Sequence, residues 1–393
     1  MSLVKRDRDV GLMNGPLRVV CDENLSITPA LEAIASSITC LPGRSITQTD
    51  LGQVDALFVR SVTRVDEALL RGSAVRFVGT ATAGIEHIDV DAIQRMGISF
   101  AAAAGANANA VVEYIITAFA FSGRLSSILA GGSVGVVGLG YVGRLLCQRI
   151  QSLGGRVVAY DPLLRDWPRD VTRASLADVL SQPVVSLHAA LHDSAPYASR
   201  HLISTANVSC FSEGQLLVNA GRGGLITRDA LVALYHKGIS LVLDTWPDEP
   251  SVDGELLSMV LLATPHIAGY SLEAKVKATD MLVRSIIDHK LVDISSLNLD
   301  LNDSIGSAQH EIISASDLSG ILLAAYNIAE DDLRFREAAD LHGGVVASAF
   351  DALRRDYPLR FELRGRKVQR DNQSDKINTW ADALGFTTNK RDE

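Results

Sequence analysis

An α/β protein built on doubly wound parallel sheets is what this sequence predicts, and three observations carry the prediction. Short apolar runs alternate with helical stretches through most of its 393 residues. The stretch Ser133 to Asp161 reads strand, glycine-rich turn, amphipathic helix and second strand, in that order. Polar and charged residues gather just past the ends of the apolar runs, where open α/β sheets carry their functional groups.

The length allows two or three domains, and 47% hydrophobic residues supply their cores. A net charge of −9 argues against a general nucleic-acid surface. Cys21, Cys40, Cys147 and Cys210 are scattered, with no C-x-x-C pair. They read as reduced, mostly structural thiols of a cytoplasmic protein, with no metal site and no disulfide frame. The opening 15 residues lack the apolar core of a signal peptide and read as a disordered leader. No apolar run is long and unbroken enough for a membrane span.

Taken in order, the first strands are Leu17–Cys21, Ala56–Val59 and Arg76–Gly79. Past their ends stand Asp22, then Arg60 and Ser61, then Thr82 and Gly84. The pattern is a small α/β domain, spanning 17–108. Asn107 or Asn109 can cap a long helix running through Val111 and Phe119. Further strands are expected at Val184–His188, Leu216–Asn219 and Leu241–Asp244. They belong to a second domain, 109–271. Glu273–His289 is amphipathic, so residues 272–300 return to the first domain. Helical periodicity at Leu318–Tyr326 and a basic stretch from Arg354 to Lys367 mark a small α+β domain at 305–390, with Thr387 to Glu393 frayed. The basic stretch reads as a solvated face, with an arginine near the phosphate of the substrate in a partner subunit as the second reading.

The glycine turn is Gly138-Leu139-Gly140-Tyr141-Val142-Gly143, or G-x-G-x-x-G. Gly138 makes the tight turn, Gly140 admits a pyrophosphate, and Gly143 lets helix and strand pack closely. The helix opening at Tyr141 and Val142 offers N–H groups and a positive dipole end to phosphates. Asp161 lies 18 residues past Gly143, where an acid accepts hydrogen bonds from an adenosine ribose. That carboxylate favours NAD and repels the 2′-phosphate of NADP. Arg165 reads as a solvated loop residue. The whole is a Rossmann-type dinucleotide fingerprint.

Three later segments add chemistry at one sheet edge: Asn219-Ala220-Gly221-Arg222, Asp244-Thr245-Trp246-Pro247-Asp248-Glu249-Pro250 and Thr264-Pro265-His266-Ile267-Ala268-Gly269-Tyr270. Hydride transfer from a secondary alcohol needs a base for the hydroxyl proton, and histidine suits it. A carboxylate beside the ring orients it and stabilises its protonated form. Arginine grips a carboxylate with two parallel hydrogen bonds. Taken singly, each residue has a plainer reading. His266 alone is a surface or core histidine, Asp244 a loop cap, and Ser61 and Thr82 closers of strand-end turns. His87, His188 and His192 read as structural.

These segments resemble the D-specific 2-hydroxyacid dehydrogenase family. The resemblance implies a catalytic triad of Arg222, Glu249 and His266. It implies that Asp161, Asp244 and Gly269 join Gly138, Gly140, Tyr141, Val142 and Gly143 in binding NAD. The N-terminal strand ends, Cys21-Asp22-Glu23-Asn24, Val59-Arg60-Ser61-Val62-Thr63 and Thr80-Ala81-Thr82-Ala83-Gly84, are similar to one branch of that family. So are Gly269-Tyr270-Ser271 and the tail around Phe350-Asp351-Ala352-Leu353. The branch implies a flavodoxin-like substrate domain, substrate contacts from Ser61, Thr82 and Tyr270, and a C-terminal domain that forms a homodimer. It also implies a small phosphorylated 2-hydroxy acid as substrate, with a hydride passing from C2 to NAD and a proton to His266. Arg60 is then the expected partner of the substrate phosphate. Ala189, Ala190, Pro247 and Ala104 depart from the family pattern and leave the triad intact. Two alternatives stand beside this reading. One is the same chemistry on 3-phosphoglycerate, glyoxylate or hydroxypyruvate. The other is an NAD-sensing corepressor with feeble turnover.

Overall fold

The computed structural model describes residues 16–293, 312–339, 343–369 and 375–389. The expected leader, residues 294–300 of the return segment, the first residues after 305 and the last four residues lie outside them. The chain divides into two compact units. The first takes Met1–Asn107 and Glu273–Gly306, and the second takes Ala108–Leu272 and Ser307–Glu393.

The first unit has, among the described residues, one five-stranded sheet. Its strands are β1 (Leu17–Asp22), β2 (Ala35–Leu41), β3 (Ala56–Val59), β4 (Phe77–Thr80) and β5 (Ser99–Ala102). All pair in parallel in the order β2-β1-β3-β4-β5, the flavodoxin-like arrangement. β3 and β4 are buried along their whole length, as central parallel strands with both faces covered must be. β2, ASSITCL, lies at the edge and is mostly exposed or half-exposed. It has no continuous apolar run, so the sequence pattern passes over it. Cys21 and Cys40, distant in sequence, are register partners across β1 and β2 with their sulfurs 3.2 Å apart, both as thiols. The helix Leu272–Asp288 places Leu282, Val283 and Ile286 in one core with Leu17, Val19, Phe58 and Phe77.

The second unit is built on a seven-stranded parallel sheet. Its strands are β6 (Ser133–Val137), β7 (Arg156–Tyr160), β8 (Thr172–Arg173), β9 (Val184–Leu187), β10 (Leu216–Asn219), β11 (Ser240–Leu243) and β12 (Leu262–Ala263). The order β8-β7-β6-β9-β10-β11-β12 reverses at β6, which makes the end of β6 a switch point. The helix Tyr141–Ser152 buries Leu146, Cys147 and Ile150 against this sheet, with Val142 and Leu145 packed beside them. β8 and β12 are two residues each, too short to show a period.

The C-terminal segment contributes the helices Leu318–Ala325, Ile328–Glu337, Ala347–Arg355 and Asp375–Leu384. It also contributes β13 (Lys367–Gln369) paired in parallel with β14 (Thr387–Asn389), so Thr387 to Asn389 form a strand where fraying is expected. Leu318, Ile321, Leu322, Val368 and Phe386 share one continuous core with Val111, Ile115, Val134 and Leu146. The basic stretch is not one solvated face. Arg364 and Lys367 are exposed, whereas Arg360 is 8% exposed and donates to the carbonyls of Ala110 (3.0 Å) and Ala268 (2.7 Å).

The helix Ala108–Phe121 is tied to this segment by a buried pair of carboxyls. Asn109 sits inside the helix, not at its cap. Its amide donates to Glu113 (2.8 Å) and to Glu362 (2.7 Å). The Leu363 N–H donates to Glu113 at 3.0 Å, and the Ser271 hydroxyl to Glu362 at 3.0 Å. Burial, reinforced by the Glu362 charge, pushes the Glu113 carboxyl up to about 8. The folded protein therefore keeps this proton while the unfolded chain, at the ordinary value of 4.5, has lost it. The pair's contribution is complete below about 4.5 and is lost as pH rises towards about 8. Thermal melts across that window should show a falling midpoint, and Glu113→Gln should flatten the decline. Parallel declines in wild type and variant would show that Glu113 does not hold the proton.

Candidate active site

Four loops meet the carboxyl edge of the second unit's sheet, after β6, β10, β11 and β12. Parallel pairing brings all four to one side. The loop after β6 is the glycine turn. Gly138 has φ +88°, and a Cβ there would lie 2.5 Å from the Ala189 nitrogen. A Cβ on Gly143 would lie 2.0 Å from the Gly138 carbonyl oxygen. A Cβ on Gly140 would instead enter open space, with nothing within 4 Å. Two glycines thus close the turn, and the third leaves room over the helix start. Gly140 is the N-cap and makes no side-chain cap, so the first turn of the helix offers its N–H groups outward. Asp161 accepts from the Leu139 N–H (2.8 Å) and the Leu163 N–H (3.1 Å), which holds its carboxylate beside the turn. Tyr141 is 67% exposed at the head of the helix. Arg165 is exposed. The turn, the open space over Gly140 and the acid fit a dinucleotide.

At the end of β11, Asp244 is 1% exposed. Its Oδ1 accepts from the Thr264 hydroxyl (2.7 Å) and the Ile267 N–H (2.7 Å), and its Oδ2 from the Ala268 N–H (3.0 Å). Burial pushes this carboxyl up, and the His266 charge and these donors pull against it. Thr264 spends its proton on Asp244, so the Tyr114 hydroxyl, 2.8 Å away, donates to Thr264. All three direct donors come from the segment that carries His266. His266 itself has φ +56°, in the left-handed region that few non-glycine residues adopt.

His266 Nδ1 lies 2.8 Å from Glu249 Oε2. Glu249 Oε1 accepts from the Trp246 N–H at 2.8 Å. Burial pushes the Glu249 carboxyl up, but the His266 ring and the two hydrogen bonds outweigh it and hold the group below the usual glutamate range. The carboxylate is therefore ionised at neutral pH and fixes the ring. Trp246 is 2% exposed, and its indole N–H donates to the Thr264 carbonyl at 2.9 Å. At the end of β10, the Asn219 side chain bridges its own turn, donating to the Arg222 carbonyl (3.0 Å) and accepting from the Gly221 N–H (3.1 Å). Arg222 is half-buried and donates to the Gly221 carbonyl at 2.9 Å. Tyr270 and Gly269 close the His266 segment. The Tyr270 ring stacks edge-on with Tyr357 at 5.8 Å.

His188, at the end of β9, is a different kind of histidine. Its Nε2 meets the Ser186 hydroxyl at 2.8 Å, and burial drives the ring down to about 3. It stays neutral in the physiological range, whereas the His266 ring is paired with a carboxylate.

In the first unit, the strand-end residues form their own cluster. Asp22 is fully buried and accepts from the Asn24 N–H at 2.8 Å. Arg60 faces it at 4.0 Å. Ser61 is exposed. The Thr82 hydroxyl donates to the Gly84 carbonyl (2.8 Å) and meets Thr80, which in turn meets His87 at 2.9 Å. No cluster of metal-ligating side chains occurs among the described residues.

The side chains that sequence reasoning missed are Tyr114, Thr264, Trp246 and Arg360. Thr264 and Trp246 lie inside segments singled out for chemistry. Their hydroxyl and indole read as neutral filler until the buried Asp244 and Glu249 need donors.

A family model described as "D-isomer specific 2-hydroxyacid dehydrogenase, NAD binding domain" matches residues 117–268. A second, a domain of unknown function, matches residues 306–385. The erythronate-4-phosphate dehydrogenase of Cellvibrio japonicus is 36% identical over 379 residues, covering 94% of this chain and 99% of that protein. The enzyme of the same name from Teredinibacter turnerae is 37% identical over 383 residues, with the same coverage. Among solved structures, the D-mandelate dehydrogenase of Rhodotorula graminis superposes with a TM-score of 0.57 at 22% identity, covering 69% of this chain and 94% of that one. The NAD+-bound 3-phosphoglycerate dehydrogenase of Entamoeba histolytica gives 0.59 at 19% identity, covering 70% and 95%. At these identities the structures establish the fold. The chain binds NAD through the second unit.

The place of Asp161 beside the turn generates a prediction about the cofactor. Calorimetric titration should give tight NADH binding and at least tenfold weaker NADPH binding, since a charge repulsion of about 1.4 kcal/mol already gives that ratio. Comparable affinities would remove Asp161 from the adenosine site.

Proposed function

The chain belongs to the erythronate-4-phosphate dehydrogenase family of D-isomer-specific 2-hydroxyacid dehydrogenases, and from that premise we propose that it oxidises 4-phospho-D-erythronate at C2 to the 2-oxo acid. The reaction lies on the route to pyridoxal 5′-phosphate, and we place it in the cytoplasm. No helix among the described residues is long and apolar enough to cross a membrane. The observation that carries the reading is the His266–Glu249 pair, held on the sheet edge that also carries the dinucleotide turn.

NAD, when bound, supplies the hydride acceptor for C2. His266 takes the hydroxyl proton. Its Nδ1–H points at Glu249, so Nε2 carries the free lone pair and is the atom that accepts. The resulting imidazolium sits against an ionised Glu249. Arg222 holds the substrate carboxylate through two parallel hydrogen bonds and draws charge from the C2 oxygen as it becomes a carbonyl. Asp244 keeps the His266 segment in place and contacts the nicotinamide side, with Gly269 beside it. Ser61, Thr82 and Tyr270 bind substrate, and Arg60 meets the phosphate.

Steady-state NAD reduction across a panel of phosphorylated and plain 2-hydroxy acids tests this. The wild type should favour 4-phospho-D-erythronate over 3-phosphoglycerate and over unphosphorylated acids. His266→Ala should lower kcat by about a hundredfold to ten-thousandfold while NADH still binds. Arg60→Ala should lower the ratio of kcat/KM for phosphorylated over plain substrate by roughly tenfold or more. A protein that binds NADH and turns over no member of the panel would be a sensor of the cofactor instead.

We also propose a homodimer formed through the C-terminal segment. Leu333, Val346 and Leu359 are exposed there by 54%, 48% and 66%, apolar surface that a partner would cover. Light scattering on the full chain should give twice the chain mass, and Leu359→Asp together with Leu333→Asp should halve it. A dimer indifferent to both changes would place the interface elsewhere.

A further inference from the structure

The C-terminal segment sends one charged side chain to the His266 segment. Arg354 stands in the last turn of the helix Ala347–Arg355. Phe350, one turn earlier, is fully buried and meets Phe335 at 5.9 Å, and Phe335 meets Trp246 at 5.5 Å. This run of rings seats the helix against the loop after β11. The Arg354 guanidinium then lies 5.5 Å from the centre of the Tyr270 ring and 5.8 Å from that of Phe350. Its Nε is buried and donates to no acceptor.

A buried guanidinium donor without an acceptor is uncommon, because it has given up water and received nothing. The nearby carboxylates do not account for it. Glu249 is taken by His266 and the Trp246 N–H, and Asp244 by Thr264, Ile267 and Ala268. The cation is thus placed beside Tyr270 and the His–Glu pair with donor capacity to spare. A phosphate monoester carries nearly two negative charges near neutral pH, more than one guanidinium balances.

We propose that Arg354 is an anchor for the substrate phosphate, so that the C-terminal segment, whose family match carries no function, is a specificity element of the active site. This rests on the reading of a phosphorylated 2-hydroxy acid as substrate. Arg354 accepts the phosphate through its fork of N–H donors, while its stem stays packed on Phe350 and Tyr270.

The test compares Arg354→Met, which keeps the apolar stem, and Arg354→Lys, which keeps the charge. For each, kcat/KM is measured on 4-phospho-D-erythronate and on unphosphorylated D-erythronate. The ratio between the two substrates should fall by about 10- to 100-fold in Arg354→Met and recover in part in Arg354→Lys. Equal losses on both substrates, or no loss, would overturn the proposal and leave Arg354 as packing. Inorganic phosphate serves as a probe that does not depend on turnover. Its stabilising shift in melting temperature should be present in the wild type and lost in Arg354→Met. If the wild type preferred an unphosphorylated acid, the substrate reading would fail on its own. The phosphate shift would then still decide whether Arg354 binds the anion, and a shift unchanged by Arg354→Met would overturn the assignment.

Discussion

A carboxylate with no access to water must find its donors inside the protein, and Asp244 imposes that requirement on everything near it. Three donors from one short segment meet it. Supplying them fixes Thr264, Ile267 and Ala268, and of the two residues between, His266 is carried into a left-handed backbone. The strain of one such residue costs of the order of 1 kcal/mol or more, which the surrounding bonds offset. What results is a histidine whose ring direction is set before any ligand arrives. Glu249 completes the arrangement from the next loop, and the Trp246 N–H fixes Glu249 in turn. Preorganisation of this kind removes reorganisation from the chemical step.

The same segment is gripped from its other side. Arg360 ties the Ala268 carbonyl to the start of the helix Ala108–Phe121, and Ser271 reaches Glu362. Glu362 shares Asn109 with Glu113 on that helix. The C-terminal segment is therefore part of the scaffold that holds the catalytic edge. Its apolar residues merge with the core beneath the dinucleotide sheet.

Much of this was legible in the sequence. The central strands announce themselves as unbroken apolar runs, and the glycine turn shows its meaning through what flanks it. Arg222, Glu249 and His266 could be placed at one sheet edge because each follows a strand that the pattern exposes. β2 escaped because an edge strand needs no continuous apolar face. Arg360 and Arg354 were hidden for a different reason. A run of basic residues looks solvated until tertiary packing turns some of them inward, and no local period records that choice. Asn109 was legible as a polar residue near a helix start. Its two carboxyl partners, one of them more than two hundred residues away, were not.

The discontinuity of the first unit bears on how the chain is made. Its sheet is complete once β5 has been synthesised, yet one face of that sheet is covered by Leu282, Val283 and Ile286. A ribosome must add the whole dinucleotide sheet before those side chains exist. The first-born half of the molecule thus waits, with Phe58 and Phe77 lacking their final cover, for a helix encoded nearly two hundred residues downstream. The nascent chain is most exposed to wrong partners in that interval, which is where a chaperone would have its longest hold.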